Sequence, residues 1–495
     1  MLSFPAGLCS LFVLLRRDIP CALLIVVCLG GAATAAEPLN VILFSFDTLR
    51  ADHLGAYGYD RSTSPHLDAF AKKAVRYEHA YAPAPWTLPS HGAMLSGQHP
   101  HALGLVGRKS SIPEDAPMLA EVLARAGYRT VAFVDSGPGG FLGGERGFDR
   151  GFAEYHHAPH ERGLDYRFDA DVTVRHALAW LDGKSARRPF FLFLHTKSIH
   201  TMPDLPEGAS DPDAPYHKPL PWRTMFLPEK ELRFPWREGG VGGGAKLLIR
   251  VNDGVAQGER DGDDYRGERQ RELIGLYDGG IAYADAAFGR LIAGLESRGL
   301  LDSTIIVVTS DHGEAFLEHR FLLHAEVYDD LLHVPLLVWD PKRPSGRSVG
   351  QSVALSDVGP TLIERVGLSV PSEMTGRALP SSEGSAAGET EPARPLYHTY
   401  RFDGRWGEGS ALREGRHKLV RVKLPHWERA RTELYDLEAD PDEQLPVTGD
   451  PERRSRMLAR LRAWLESSDN PSVGTSTFEI DDESREELRA LGYIE

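Results

Sequence analysis

Short runs of consecutive apolar residues recur along the chain, and each one closes on a polar or charged residue. The stretch NVILFSFDTLR is apolar until it meets Asp47, and RTVAFVD, PFFLFLHT, STIIVVTSDHGE and VPLLVWDP repeat the theme. Continuous rather than alternating apolar runs predict strands buried on both faces, as in a parallel sheet. Between them, SPHLDAFAKKAV, PMLAEVLARAG and IAYADAAFGRLIAGLESRG carry helical spacing. Alternating strands and helices predict an α/β fold, a doubly wound and mostly parallel sheet flanked by helices. In such a sheet the C-terminal ends of the strands converge on one crevice, so the polar residues that close the runs are the first candidates for chemistry.

Two stretches break this rhythm. Residues 203–270 are rich in Gly, Pro and charge (EGGVGGGAK, ERDGDDYRGERQ) and predict an irregular, partly mobile insertion at the rim of the site. PSSEGSAAGETEPARP, residues 380–395, reads as a composition-biased linker. Beyond it, PLYHTYRF, HKLVRVKL, ELYDL and the helical PERRSRMLARLRAWLESS predict a smaller C-terminal α+β domain over 396–495. At the other end Arg16-Arg17 precede an apolar run that finishes in small residues, Ala33-Thr34-Ala35. Residues 1–36 therefore read as a signal peptide or membrane anchor, which leaves 37–379 for the catalytic α/β domain. The expected location is periplasmic or secreted, with membrane contact only through a retained N-terminal segment.

Composition narrows the chemistry. A net charge of −15, from 56 Lys+Arg against 71 Asp+Glu, disfavours nucleic acid or an anionic membrane surface as a partner. Cys9, Cys21 and Cys28 are the only cysteines. The rest of the chain thus has no disulfide, no thiol nucleophile and no cysteine-based zinc site. Asp47-Thr48 and Asp311-His312 each close a predicted strand, and hard oxygen donors with one imidazole suit Mg²⁺, Mn²⁺, Ca²⁺ or Zn²⁺.

NVILFSFDTLRADHLGAYGY, WTLPSHGAMLSGQHP, TSDHGE and ELYDLEADPDE occur in an order and spacing that resemble the sulfatase family of the alkaline phosphatase superfamily. The resemblance covers most of residues 39–445 and implies one divalent metal ion, Ca²⁺, Mn²⁺ or Zn²⁺. Its ligands would be Asp47, Asp311, His312 and the nucleophile at position 87, with Thr48 standing where family members often carry a second Asp. His312 replaces the Asn common in sulfatases and resembles the phosphonate monoester hydrolases and phosphodiesterases. Within the signature Cys-x-Pro-Ser-Arg this chain has Thr87 and His91, so no formylglycine is expected. The resemblance also implies a small-molecule, glycan or lipid ester substrate, that His200 assists the leaving group and that His324 contacts the sulfate or phosphate. The Lys- and His-bearing segment that arylsulfatases carry after the strand RTVAFVD has no counterpart.

A threonine hydroxyl beside a divalent cation is a workable nucleophile, because the cation lowers its pKa. A sulfated threonine lacks the second hydroxyl by which formylglycine hydrate expels sulfate, whereas a phosphorylated threonine is open to attack by water or an alcohol. Thr87 therefore favours phosphoryl chemistry, and family membership favours sulfate esters. A phosphodiesterase or phosphoryl transferase and a noncatalytic metal-binding protein complete the readings. His91 and His195 are expected to be structural, and His156, His157 and His160 to lie on a solvated loop.

Overall fold

The computed structural model describes residues 38–138, 140–157, 169–183, 189–201, 214–216, 218–234, 236, 244–343, 346–380, 394–401 and 405–467. The expected N-terminal leader, His160, most of the expected linker and parts of 203–270 lie outside these residues. The strands are β1 (Asn40–Phe46), β2 (Val75–Tyr81), β3 (Arg129–Val134), β4 (Glu154–His157), β5 (Phe190–Thr196), β6 (Thr304–Ser310), β7 (Ala315–Phe316), β8 (Leu322–Leu323), β9 (His333–Trp339), β10 (Arg347–Val349), β11 (Val353–Ala354), β12 (Leu396–Arg401), β13 (Glu408–Glu414), β14 (His417–Lys423) and β15 (Arg431–Asp436). The α-helices are α1 (Pro65–Ala71), α2 (Thr87–Ser96), α3 (Leu119–Arg125), α4 (Ala170–Asp182), α5 (Gly244–Gln257), α6 (Glu268–Ser297), α7 (Asp329–Leu332), α8 (Val358–Arg365) and α9 (Pro451–Ser467).

The large sheet runs β10-β2-β9-β6-β1-β5-β3-β4, with β11 also paired to β2. It is parallel except for β9, which lies antiparallel to both β2 and β6. The centre, β5-β1-β6, is built from the longest apolar runs, and β5 and β6 are buried at every residue. Helices cover both faces of such strands, which is why no polar alternation is needed. Phe288 of α6 is fully buried against Phe44 of β1, with ring centroids 6.0 Å apart, and against Phe70 of α1 at 5.2 Å.

A second, antiparallel sheet, β12-β13-β14-β15, carries α9 on one face through Met457 and Leu461. Its other face joins the main core through Leu396, Tyr400, Ala411, Val420 and Val422, and a buried ion cluster reinforces the junction. Lys418 Nζ lies 2.6 Å from Asp329 Oδ1 and 2.8 Å from Glu443, and Arg413 Nη1 lies 2.7 Å from Asp329 Oδ2. Burial alone would raise the Asp329 carboxyl, but Arg413 and Lys418 outweigh it and hold the group ionised. His398 adds an imidazole contact, Nδ1 to Ala82 O at 2.8 Å.

Two expectations about local structure change. Within the stretch expected to be irregular, Gly244–Gln257 forms α5, with Leu247, Leu248, Val251 and Val255 buried along one stripe. Its Gly-rich neighbours hid an amphipathic period that starts only at Ala245. His156 and His157 are not on a solvated loop: they end β4, half-buried, with His156 stacked on Phe133 at 4.7 Å and His157 Nδ1 bonded to Ser136 O at 2.7 Å.

Phe288→Ala is expected to lower unfolding free energy by about 3–5 kcal/mol in urea titrations, because it empties a closed aromatic contact. Burial, reinforced by the Lys418 charge, pushes the His398 imidazole down to about 3. The unfolded chain therefore binds a proton at this residue near pH 6.5 that the native chain refuses, and its contribution falls as pH drops towards 3. His398→Gln keeps a donor for Ala82 and removes the titration. Between pH 6.5 and 4.5 its stability is expected to rise by about 2 kcal/mol relative to the unmodified chain, measured by urea titration at each pH.

Candidate active site

Parallel register brings the polar ends of the central strands to one edge. Phe46 pairs with Thr196 on one side and with Ser310 on the other, so Asp47, Lys197 and Asp311 emerge side by side. Asp47, Asp311 and His312 are fully buried, and their ligand atoms lie within 4.8 Å of one another. His312 Nε2 is 3.5 Å from Asp47 Oδ1 and 3.5 Å from Asp311 Oδ2. The His312 Nδ1 side is committed, at 2.9 Å from Gly313 O, which turns Nε2 towards the two carboxylates. Thr48 adopts φ 63, a left-handed conformation costly for a β-branched residue. That strain lets its N–H donate to Asp311 Oδ1 at 3.3 Å while its carbonyl accepts from Tyr277 Oη at 2.6 Å.

Thr87 is the first residue of α2, a helix buried at all 10 residues. Its hydroxyl does not cap the helix. Oγ1 points instead at Asp47 Oδ2, 3.5 Å away. One turn on, His91 is held by Thr87 O at 3.0 Å and Ser45 Oγ at 2.9 Å. His200 stands beyond the end of β5, with Nδ1 2.8 Å from Thr201 O and its ring 5.3 Å from that of His324. The His324 ring is 4.8 Å from His312, and its Nδ1 is 3.2 Å from Glu314 Oε1. The structure thus gathers Asp47, Thr48, Thr87, His200, Asp311, His312 and His324 into one site.

Burial sets the protonation states. It pushes His324 down to about 4, with Arg108 and Lys197 adding to the effect, and pushes Glu314 up to about 8. It lowers His200 as well. Asp311 is raised by burial and by the neighbouring Asp47 charge. Burial would raise Asp47 too, but His200, His195 and His312 outweigh it and hold that carboxyl low.

These residues fit a divalent cation. Asp47 Oδ1, Thr48 Oγ1, Asp311 Oδ2 and His312 Nε2 are all buried with no hydrogen-bond partner among the described residues. Four orphaned donor atoms in one place are costly unless something binds them. Two carboxylate oxygens, a hydroxyl and an imidazole make a set suited to Mn²⁺ or Zn²⁺ as well as Ca²⁺.

The family profile described as Sulfatase matches residues 39–368, two thirds of the chain. The chain belongs to the sulfatase family. A second profile, N-sulphoglucosamine sulphohydrolase, C-terminal, matches residues 317–470 of this sulfatase-family hydrolase, including the four-stranded sheet and α9. It is 26% identical over 459 residues to a Delta 4,5-hexuronate-2-O-sulfatase of Bacteroides thetaiotaomicron, covering 88% of this chain and 90% of the relative. It is 25% identical to Arylsulfatase K of Xenopus laevis, covering 83% and 79%. Its fold matches the phosphonate monoester hydrolase of Agrobacterium radiobacter with a TM-score of 0.65 at 21% identity, over 86% of this chain and 95% of that one.

Several residues at the site escape sequence reasoning. His195, expected to be packing, lies with its Nε2 3.5 Å from Asp47 Oδ2. Arg108 and Lys197 are buried cations whose charge reaches His324, so the site has positive charge despite lacking the arylsulfatase segment after β3. Lys197 carried a signal in HTKSIH, between a strand end and His200, whereas Arg108 sits in a loop with no pattern around it. Asp135, which ends RTVAFVD like the other strand-end carboxylates, organises a loop: it accepts from Thr196 Oγ1 at 2.8 Å and from Lys197 N at 3.1 Å.

Gly313 follows His312 where a Cβ would sit 2.1 Å from Asp330 O, so the backbone must yield to any side chain. Gly313→Ala is expected to weaken Mn²⁺ binding by the metal-free protein about tenfold in isothermal titration, since it displaces His312.

Proposed function

We propose that this chain hydrolyses a phosphate diester or phosphonate ester with Thr87 as the nucleophile, at a site that holds one divalent cation. The observation that carries the reading is the Thr87 hydroxyl, turned into the site 3.5 Å from Asp47 Oδ2, in a chain with no cysteine after Cys28. Asp47, Thr48, Asp311 and His312 would hold the cation. When bound, such a cation supplies Lewis acidity, lowering the pKa of a neighbouring hydroxyl and neutralising anionic oxygens.

The residues divide the work as follows. Thr87 Oγ1, relieved of its proton towards Asp47, attacks phosphorus; the Oγ–P bond forms as the bond from phosphorus to the leaving oxygen breaks. In its doubly protonated form His200, whose Nδ1–H is held by Thr201 O, gives its Nε2 proton to that departing oxygen. Arg108, Lys197 and the His324–Glu314 pair line the place where nonbridging oxygens would sit and supply charge and donors in a buried, low-dielectric setting. Water, giving a proton to His200, then attacks phosphorus on the opposite side, the Oγ–P bond breaks, and Thr87 recovers its proton from Asp47. A phosphothreonine has this exit, whereas a sulfothreonine must wait for water at sulfur without the aldehyde route.

A second reading, a sulfate ester of a sugar, is favoured by the two relatives at 25–26% identity, which are named as sulfatases. The basic pair Arg16-Arg17 and the apolar run to Ala35 support an exported site of action for either substrate.

Turnover of an aryl phosphonate ester, an aryl phosphate diester and an aryl sulfate, each with Mn²⁺, Zn²⁺ or Ca²⁺ added to chelator-treated protein, separates the readings. The phosphorus esters are expected to be the better substrates, with Thr87→Ala at least about 10³-fold slower and Thr87→Ser active. Intact-mass and peptide analysis after a rapid acid quench is expected to place a phosphoryl group on Thr87. Faster turnover of the sulfate ester favours the second reading, and modification elsewhere removes Thr87 from its role.

A further inference from the structure

His195 has no part in the steps above, yet its setting is unusual. It lies near the C-terminal end of β5, paired in register with Ser45 of β1, two residues before Asp47, which follows that strand. It is fully buried, and neither ring nitrogen has a hydrogen-bond partner among the described residues. A buried imidazole in that state is unfavourable, so the position requires an explanation. A site carboxylate lies within reach, with His195 Nε2 3.5 Å from Asp47 Oδ2.

His91 meets His195 edge to face, with ring centroids 4.9 Å apart at 85°, and His91, His195 and Asp311 bring ligand atoms within 4.8 Å of one another. That spacing would suit a second cation beneath the first. Two observations argue against it. Both nitrogens of His91 are taken, by Thr87 O and Ser45 Oγ. Asp311 also belongs to the first group, with Asp47 and His312. What remains is a directional contact between His195 and Asp47.

We propose that His195 is a positioning residue for the cation site: its Nε2–H donates to Asp47 Oδ2 and thereby turns Oδ1 towards His312 and Asp311. A carboxylate rotates freely about its terminal torsion until one oxygen is pinned. Asp47 Oδ2 is also the atom that faces Thr87 Oγ1, so one contact indexes the nucleophile against the cation. The proposal rests on the reading that Asp47, Asp311 and His312 hold a divalent cation.

The test compares two amides of different reach. Gln at 195 places its nitrogen where His Nε2 lies, whereas Asn stops near the place of Nδ1. Chelator-treated full-length protein is titrated with Mn²⁺ alone and with Zn²⁺ alone, and urea midpoints are recorded for each metal-free variant. The unmodified chain is expected to bind one ion. H195N is expected to bind 10–100-fold more weakly and H195Q within a few-fold of the unmodified chain, at similar metal-free midpoints. Equal affinity for H195N and the unmodified chain overturns the proposal, as does equal weakening of both variants. Two ions bound by the unmodified chain, with one lost in both variants, makes His195 a ligand and also overturns it. Failure of the unmodified chain to bind either metal overturns the cation reading instead, and that result is read before any variant is made.

Discussion

Everything at the centre of this protein answers to two carboxylates buried at the ends of neighbouring strands. Asp47 and Asp311 are brought together by the pairing of β1 with β6, and backbone geometry gives them no way apart. Two adjacent buried charges cannot both persist unaided, and their protonation tendencies split accordingly, one raised and one lowered. Much of the surrounding structure supplies a remedy: an imidazole aimed at each carboxylate, a strained Thr48 that offers an N–H, and the N-terminal end of α2 with its partial positive charge. A divalent cation held there would complete the same compensation.

The same constraint bears on the threonine in the signature position. The first turn of α2 is sealed by protein on all sides, so whatever occupies residue 87 is presented to Asp47 in one orientation. His91, in the place of the usual arginine, does not reach for the Thr87 hydroxyl; it ties the Thr87 carbonyl to Ser45 of β1. The two departures from the signature act on separate parts of the same residue, one on its chemistry and one on its placement.

What was legible in the sequence follows from the same physics. Strands buried on both faces announce themselves as unbroken apolar runs, and the residues that end them mark the crevice, which is how Asp47, Asp311 and His312 could be read. His195 was not legible because it lies inside such a run, where a histidine looks like any other core residue; only the register with Ser45 reveals its neighbour. Arg108 reaches the site from a loop, and loops carry no periodicity. Helix α5 was obscured by the glycines before it, and the histidines of β4 by their polarity on a short edge strand.

The buried ion cluster at the junction has a consequence beyond holding two sheets together. Lys418 and Arg413 grip Asp329, the first residue of α7; the carbonyl of the next residue, Asp330, presses on Gly313, and Gly313 N–H donates to Leu331 O at 2.8 Å. Mechanical support for His312 therefore originates in strands some hundred residues further along the chain. The C-terminal sheet cannot be exchanged among relatives as an independent module: a transplanted sheet would need its own match to α7, and lineages diverging in one would be compelled to drift in the other.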